Sequence, residues 1–317
     1  MTFALIDIGS NTIRLSVYAR TDGHDGIAGA SASGLSARDD LGSFTRLFSK
    51  KVMAQLASYV DDANRLTEEG IRSACDALAL LGSITRRLGI EDVHAFATAS
   101  LRNVANGAQA LERIQRESGL AIEVLSGREE ALLGFSSFQH EHPVDAGVVV
   151  DIGGGSAEVV CFEQSRALCA ASMPLGSLKL YKRDVDGLLP TKKECRRIRR
   201  HVEGALDAAG LPEAATYERV CAIGGTARAV AKLMAYRGVG GERGTRFAAE
   251  ELAALLEELA CDERAARELI LRVCPERIHT LVPGTLELDT IAKRFAARTI
   301  LVGTYGVREG YVYERII

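Results

Sequence analysis

Two segments of this chain place an aspartate just ahead of a glycine turn: Asp7-Ile8-Gly9-Ser10-Asn11 and Asp151-Ile152-Gly153-Gly154-Gly155-Ser156. A glycine turn lets the backbone approach a phosphate closely and aim N–H groups at it. A carboxylate beside such a cradle needs a cation between them, and Mg²⁺ suits carboxylate plus phosphate oxygens. Asp7 and Asp151 therefore read as direct or water-mediated Mg²⁺ ligands. Ser10, Asn11, Gly153, Gly154, Gly155 and Ser156 read as phosphate contacts. Glu158 returns across the second turn, either as another metal or water ligand or as a polar residue on an exposed strand face. A third turn, Gly224-Gly225-Thr226, opens a helix whose N-terminus adds positive partial charge.

Other charged groups carry two readings each. Glu129 and Glu130 open a helix after Ser126-Gly127, where acids favour the macrodipole. One of them is equally a candidate general base for water attack, and the pattern does not choose. Arg102 follows Thr98-Ala99-Ser100-Leu101 at a strand-to-helix turn, where a guanidinium can clamp phosphate or simply join a surface ion pair. The basic run Lys192–His201, with Lys179, Lys182 and Arg183 upstream, is either a guide for a polyanion or a solvated helix face. His140-Glu141-His142 precedes Pro143 and reads as a solvated loop rather than a metal site.

The elements that must position these residues are those of an α/β protein. Apolar, β-branched runs at 3–8 and 12–18 flank the first turn, and similar runs at 147–152 and 157–162 flank the second. The segment VVVDIGGGSAEVV aligns with ALIDIGSNTIRLS, Asp on Asp and Gly on Gly. Two copies half a chain apart predict two related α/β domains facing each other across a cleft. Residues 1–124 are expected to form the first, completed by a closing helix at 304–317, and residues 125–303 the second. Between the turns, helical spacing predicts helices near 67–88, 103–118, 128–138, 192–201, 251–259, 265–273 and 286–297.

Composition excludes several classes. The 317 residues hold 39 Lys plus Arg against 42 Asp plus Glu, a net charge of −3, so general polyanion or nucleic-acid binding is not expected. The absence of Trp argues against aromatic stacking platforms for single strands. No apolar run reaches the roughly 18–20 residues that span a bilayer. The N-terminus reads as strand and turn, not as a signal peptide. Seven Cys, none in a CxxC, read as reduced, mostly buried thiols of a cytoplasmic protein.

Taken together, LIDIGSNTIRLSVY, ATASLRNVANG, IEVLSGREEALLGF, VVVDIGGGSAEVV, MPLGSLKLY, AIGGTARAVAKL, LVPGTLELD and GVREGYVYE resemble the Ppx/GppA family, over nearly the whole chain. That family comprises exopolyphosphatases and guanosine pentaphosphate phosphohydrolases. The resemblance implies an actin-like, RNase H-like fold with the active site between two duplicated α/β domains. It implies Mg²⁺-dependent removal of the terminal phosphate of linear polyphosphate, or of the 5′ γ-phosphate of pppGpp. The family's catalytic glutamate falls on Glu130, whose implied role is to orient or deprotonate water. Asp151 and Glu158 match its acidic positions, Gly153–Ser156 its phosphate loop, and Asp7, Ser10 and Asn11 the opposing loop. Arg102 matches the basic residue of the T-A-x-L-R segment.

The chain departs from the pattern at Arg277-Ile278-His279-Thr280, where many relatives read R-A-D-V, so His279 stands at an Asp position. It also ends soon after the GxREG segment, which points to a short two-domain member with a leaning toward short substrates. Exopolyphosphatase is the favoured reading, with pppGpp phosphohydrolase as the alternative within the class. A kinase or an actin-like nucleotide or alarmone sensor is the alternative outside it. Regulation by (p)ppGpp and a homodimer are compatible with the sequence, and neither a membrane nor a nucleic-acid partner is expected.

Overall fold

The computed structural model describes residues 1–20, 44–212 and 215–316. Contact density divides the chain into two compact units, Met1–Ser126 and Gly127–Ile317.

The first unit is built on a five-stranded sheet. Its strands are β1 (Thr2–Ile8), β2 (Ile13–Arg20), β3 (Phe44–Val52), β4 (Val93–Ala97) and β5 (Glu123–Val124), in the order β3-β2-β1-β4-β5. The β1–β2–β3 meander is antiparallel, and β4 and β5 add in parallel. Strand β1 buries Phe3, Ala4, Leu5, Ile6 and Ile8, so both of its faces are covered, as suits a central strand. The helix Glu68–Arg87 supplies one cover. Thr67 caps it by accepting from the Gly70 N–H, Glu68 and Glu69 sit in its first turn, and Ile71, Ala74, Leu78 and Leu81 face the sheet. It stops at Gly89, whose φ of 66° is the left-handed conformation that favours glycine.

The second unit repeats the arrangement. Its strands are β6 (Gly147–Ile152), β7 (Ala157–Glu163), β8 (Arg166–Met173), β9 (Arg219–Ile223), β10 (Arg246–Ala248) and β11 (Thr299–Val302), in the order β10-β11-β9-β6-β7-β8. Read from the other edge, β8-β7-β6-β9-β11 reproduces β3-β2-β1-β4-β5, antiparallel and parallel pairs included. The duplication expected from the two Asp-Gly turns is thus carried through the whole sheet. One sheet face packs on helices that contribute Ile198, Val202, Leu206, Val230 and Leu288. The other is closed by the helix Gly127–Glu141, whose Phe138 packs with Val149, Val160, Phe162 and Ile223. Truncating fully buried Phe138 to Ala would cost about 3–5 kcal/mol.

Two expectations change. The triplet 140–142 is not a solvated loop. His140 and Glu141 complete the last turn of the helix Gly127–Glu141, and the His140 ring stacks on Tyr313 at 3.8 Å. Glu141 accepts hydrogen bonds from the backbone N–H groups of Thr304 and Tyr305, so its carboxylate ties down the chain after β11. The closing segment at 304–317 is expected to complete the first domain. Its helix Val307–Tyr311 instead packs on the helix Gly127–Glu141, within the second unit, and residue 317 lies outside the described residues. Gly310 allows this packing, because a Cβ there would overlap the Leu133 backbone.

Candidate active site

The two Asp-Gly turns have the same construction. Asp7 and Asp151 each occupy the last rung but one of their hairpins, opposite Arg14 and Glu158 respectively. Each turn closes by one backbone bond, Gly9 N–H to the Thr12 carbonyl at 3.1 Å and Gly153 N–H to the Ser156 carbonyl at 3.0 Å. Their surroundings differ in sign. Asp7 faces a guanidinium, and Asp151 faces a carboxylate.

In the first unit, Ser10 and Asn11 give their carbonyls to the N–H groups of Ala57 and Gln55, which fixes the turn's orientation. Ser100 donates its hydroxyl to the Ile8 carbonyl at 2.8 Å, fastening the segment after β4 to the end of β1. Arg102 is half-buried and one guanidinium N–H donates to the Leu125 carbonyl at 2.9 Å. Asp7, the Gly9 turn and Arg102 therefore share the carboxyl end of the parallel strands β1, β4 and β5, where open α/β sheets bind ligands.

In the second unit, the Gly153–Ser156 turn is clasped from behind. The N–H groups of Ser177, Leu178 and Lys179 donate to the carbonyls of Gly153 and Gly154. With those carbonyls engaged, the turn is rigid. Glu158 is 3% exposed, and its carboxylate accepts from the Ser172 hydroxyl at 2.7 Å and from the Ser156 side chain. Burial, then the charges of Glu130 and Asp151, push its pKa well above the ordinary carboxylate range, against those two hydrogen bonds. Glu130 and Asp151 thus both repel Glu158.

The helix Gly127–Glu141 separates Glu130 from its neighbour. Glu130 lies on the inward face with Gly134, Ser137 and Phe138. Glu129 projects outward and pairs with Arg315 at 3.0 Å. A cavity of about 540 Å³ lies on that outward face, between Glu129, Ser136, His140 and Arg315, and does not include Glu130.

The third turn faces Asp151. Gly224 has φ of +84°, and a Cβ there would collide with Asp151 Oδ1, so only glycine brings the start of the helix Gly224–Tyr236 this close. The Thr226 hydroxyl donates to the Ile152 carbonyl at 3.0 Å. Three guanidinium groups missed in the sequence reading also gather here. Arg277 Nη2 lies against Gly225, and burial pushes the Arg277 pKa down. Arg228, one turn into the same helix, donates to the Thr304 carbonyl at 3.3 Å. Burial, then Arg308, lower its pKa, with Arg277 adding to them and Glu309 and Asp151 opposing. The readable signal was Arg228 itself, a lone cation among Ala227, Ala229, Val230 and Ala231. Arg277 carried no such signal, because its contact is with a residue 52 positions away.

Much of the basic run Lys192–His201 is neutralised inward. Arg197 and His201 pair with buried Asp184, and Arg199 pairs with Asp289. Lys192, Lys193, Arg196 and Arg200 remain exposed. His279 packs its ring on Tyr181 at 5.0 Å, an aromatic contact in place of an acidic one.

The profile of the Ppx/GppA phosphatase family matches residues 36–316. The chain belongs to the Ppx/GppA phosphatase family. Curated relatives include exopolyphosphatase 1 of Mycobacterium tuberculosis, 25% identical over 325 residues and covering 100% of this chain and 88% of the relative. A putative exopolyphosphatase of Haemophilus influenzae is 25% identical, over 98% of this chain and 90% of the relative. Among solved structures, an exopolyphosphatase from Cytophaga hutchinsonii aligns with a TM-score of 0.79 at 20% identity, covering 99% of this chain and 97% of that one. The Aquifex aeolicus Ppx/GppA family member aligns with a TM-score of 0.77 at 22% identity, covering 100% and 97%. The fold is accordingly the actin-like α/β fold of Ppx/GppA proteins. As a member of this family the chain is a phosphatase, a hydrolase of phosphoanhydride bonds. No helix among the described residues is long and apolar enough to cross a membrane.

Proposed function

We propose that this Ppx/GppA phosphatase is an exopolyphosphatase, which hydrolyses the terminal phosphate of linear polyphosphate with Mg²⁺. The observation that carries the reading is the carboxylate group of Glu130, Asp151 and Glu158, set beside two glycine turns and several half-buried guanidinium groups. Among the described residues, no three His, Cys, Asp or Glu side chains converge closely enough to hold a metal unaided. Mg²⁺ asks for less, since it is commonly held by one or two carboxylates plus phosphate oxygens and water. Asp151 and Glu158 supply that hard-oxygen set, and a divalent cation would relieve the repulsion between them. When bound, the cation would offset charge on the phosphate oxygens.

The remaining work falls to the chain. The N–H groups of Gly154, Gly155 and Ser156 and of Gly224-Gly225-Thr226 orient phosphate oxygens, and Arg277 and Arg228 balance their charge. Ser10, Asn11 and Arg102 do the same in the first unit, with Asp7 as the acidic member of that turn. Glu130 accepts a proton from the attacking water. A bond forms from water oxygen to the terminal phosphorus as the bridging P–O bond breaks. Orthophosphate leaves, and the shortened chain departs as an oxyanion. Glu158 positions Ser156 through its hydrogen bond, and Ser172 holds Glu158.

The test is phosphate release in Mg²⁺ from short polyphosphate, long polyphosphate, pppGpp and ATP, with Glu130→Gln as control. Fastest release from polyphosphate, lost in Glu130→Gln, supports the proposal. Preferential release from pppGpp overturns the substrate and leaves the hydrolytic arrangement in place.

A further inference from the structure

Outside the candidate site, the hairpin β7–β8 carries two cysteines opposite each other. Cys161 and Cys169 are register partners; burial pushes the Cys161 thiol pKa up, and Cys169 is close enough to add to that push. The hairpin turns through Gln164 and Ser165, with φ of 50° and 57°, the paired left-handed conformation of a tight two-residue turn. This turn fixes the register and so fixes the thiols side by side. The ladder then skips Leu168, an extra residue that is 58% exposed and stands next to Cys169.

Directly opposed residues in antiparallel strands have Cα atoms about 4.5 or 5.5 Å apart, inside the roughly 4.4–6.8 Å that a disulfide spans. Their Cβ atoms are about 4.5–5.5 Å apart, whereas a disulfide wants about 3.5–4.5 Å. On a regular rung, closing the bond would need the Cβ atoms to approach by about 1 Å, and a disulfide under such strain is easily reduced. Metal capture is the poorer use of this pair. Among the described residues no group of three His, Cys, Asp or Glu side chains is placed to hold an ion.

We propose that Cys161 and Cys169 are a redox site, converted to a reversible disulfide by a low-molecular-weight disulfide. Cys169 is half-buried and Cys161 fully buried, so attack begins at Cys169. Its thiolate attacks one sulfur of the oxidant, forming a mixed disulfide and releasing one thiol. The Cys161 thiolate then attacks the Cys169 sulfur, forming the intramolecular bond and releasing the second thiol. Two cysteine protons and two electrons pass to the oxidant, which leaves as two thiols. Burial pushes the Cys161 thiol up, so the second step is slow at neutral pH and quickens as pH rises. The site lies on the strands that pair Glu158 with Ser172, three residues along each. It stands independently of the proposed substrate.

The test uses the full-length protein and oxidised glutathione. Aliquots are quenched with N-ethylmaleimide, cut with trypsin and analysed by mass spectrometry without reduction. Trypsin cuts after Arg166, so Cys161 and Cys169 fall on separate peptides, residues 129–166 and 167–179. The expected result is one linked species of these two peptides, two hydrogens lighter than their sum, which dithiothreitol separates. Exposed Cys261 reports that the oxidant has acted. If Cys261 is glutathionylated while the two peptides stay separate, or if either cysteine links elsewhere, the redox site is refuted. The wild-type map decides this without any variant, and Cys169→Ser should remove the linked species.

Discussion

Asp151 and Glu158 are partners on one rung of the β6–β7 ladder, so their side chains leave the sheet from the same face. Like charges directly opposed in this way destabilise a hairpin unless something offsets them. The equivalent rung of β1–β2 pairs Asp7 with Arg14, where the offset is built into the chain. Loss of a ligand should therefore be felt more strongly at the second turn. Asp151→Asn should raise the Mg²⁺ concentration for half-maximal phosphate release by roughly 10–100-fold, and Asp7→Asn by less. A magnesium titration of both variants checks this. An unchanged curve for Asp151→Asn would remove it from the metal site.

Glu130 and Glu129 are adjacent in sequence and separated by the phase of their helix. Glu130→Gln should lower turnover by about 10²–10⁴-fold with little change in KM, the usual scale for loss of a general base. Glu129→Gln should leave turnover near wild type, since Glu129 faces outward and its exposed pair with Arg315 is worth about 0–1 kcal/mol. Steady-state kinetics of the two variants separates the roles. Equal loss in both would contradict the assignment.

The duplicated hairpins were legible because their information is local: β-branched runs, an Asp and a glycine turn, written twice. The third strands were not. Phe44–Val52 is a largely exposed edge strand with Arg46, Lys50 and Lys51, and Arg166–Met173 is rich in alanine, so neither alternates cleanly. Glu130 was legible as a candidate only through the family's motif, because residue type alone does not tell which of two adjacent acids faces inward. The guanidinium of Arg277 and the partners of the basic helix, Asp184 and Asp289, were hidden for a different reason. Each contact joins residues distant in sequence, and only the folded chain brings them together.

Arg277 lies on the Gly225 backbone and has no ion pair among the described interactions. A half-buried guanidinium of this kind retains its charge and suits an anionic ligand better than a structural partner. Arg277→Ala should raise KM for polyphosphate by about tenfold, on the scale of about 1.5–3 kcal/mol for a charge-assisted hydrogen bond. The turnover number should change less. A KM equal to wild type, in a variant whose melting temperature is also unchanged, would place Arg277 outside the substrate contacts.

Glu287 is a fully buried acid with no part in the proposed chemistry. It is 0% exposed in the helix Leu281–Arg294, and neither carboxylate oxygen has a hydrogen-bond partner. Burial raises its pKa from 4.5 to about 8, against a smaller lowering by Arg183 on the helix Ser177–Asp184. The sign follows from proton binding. Below about pH 4.5 the folded and unfolded chains both hold the proton, and above about pH 8 neither does. Between these values only the folded chain holds it, so stability falls as pH rises, by up to about 1.4 kcal/mol per unit. Glu287→Met keeps the bulk and removes the titrating group. The variant should melt at a higher temperature than wild type, with the gap widening from pH 5 to pH 8 and constant beyond. Melting curves across that range would show it, and a gap independent of pH would mean that Glu287 finds a partner for its charge.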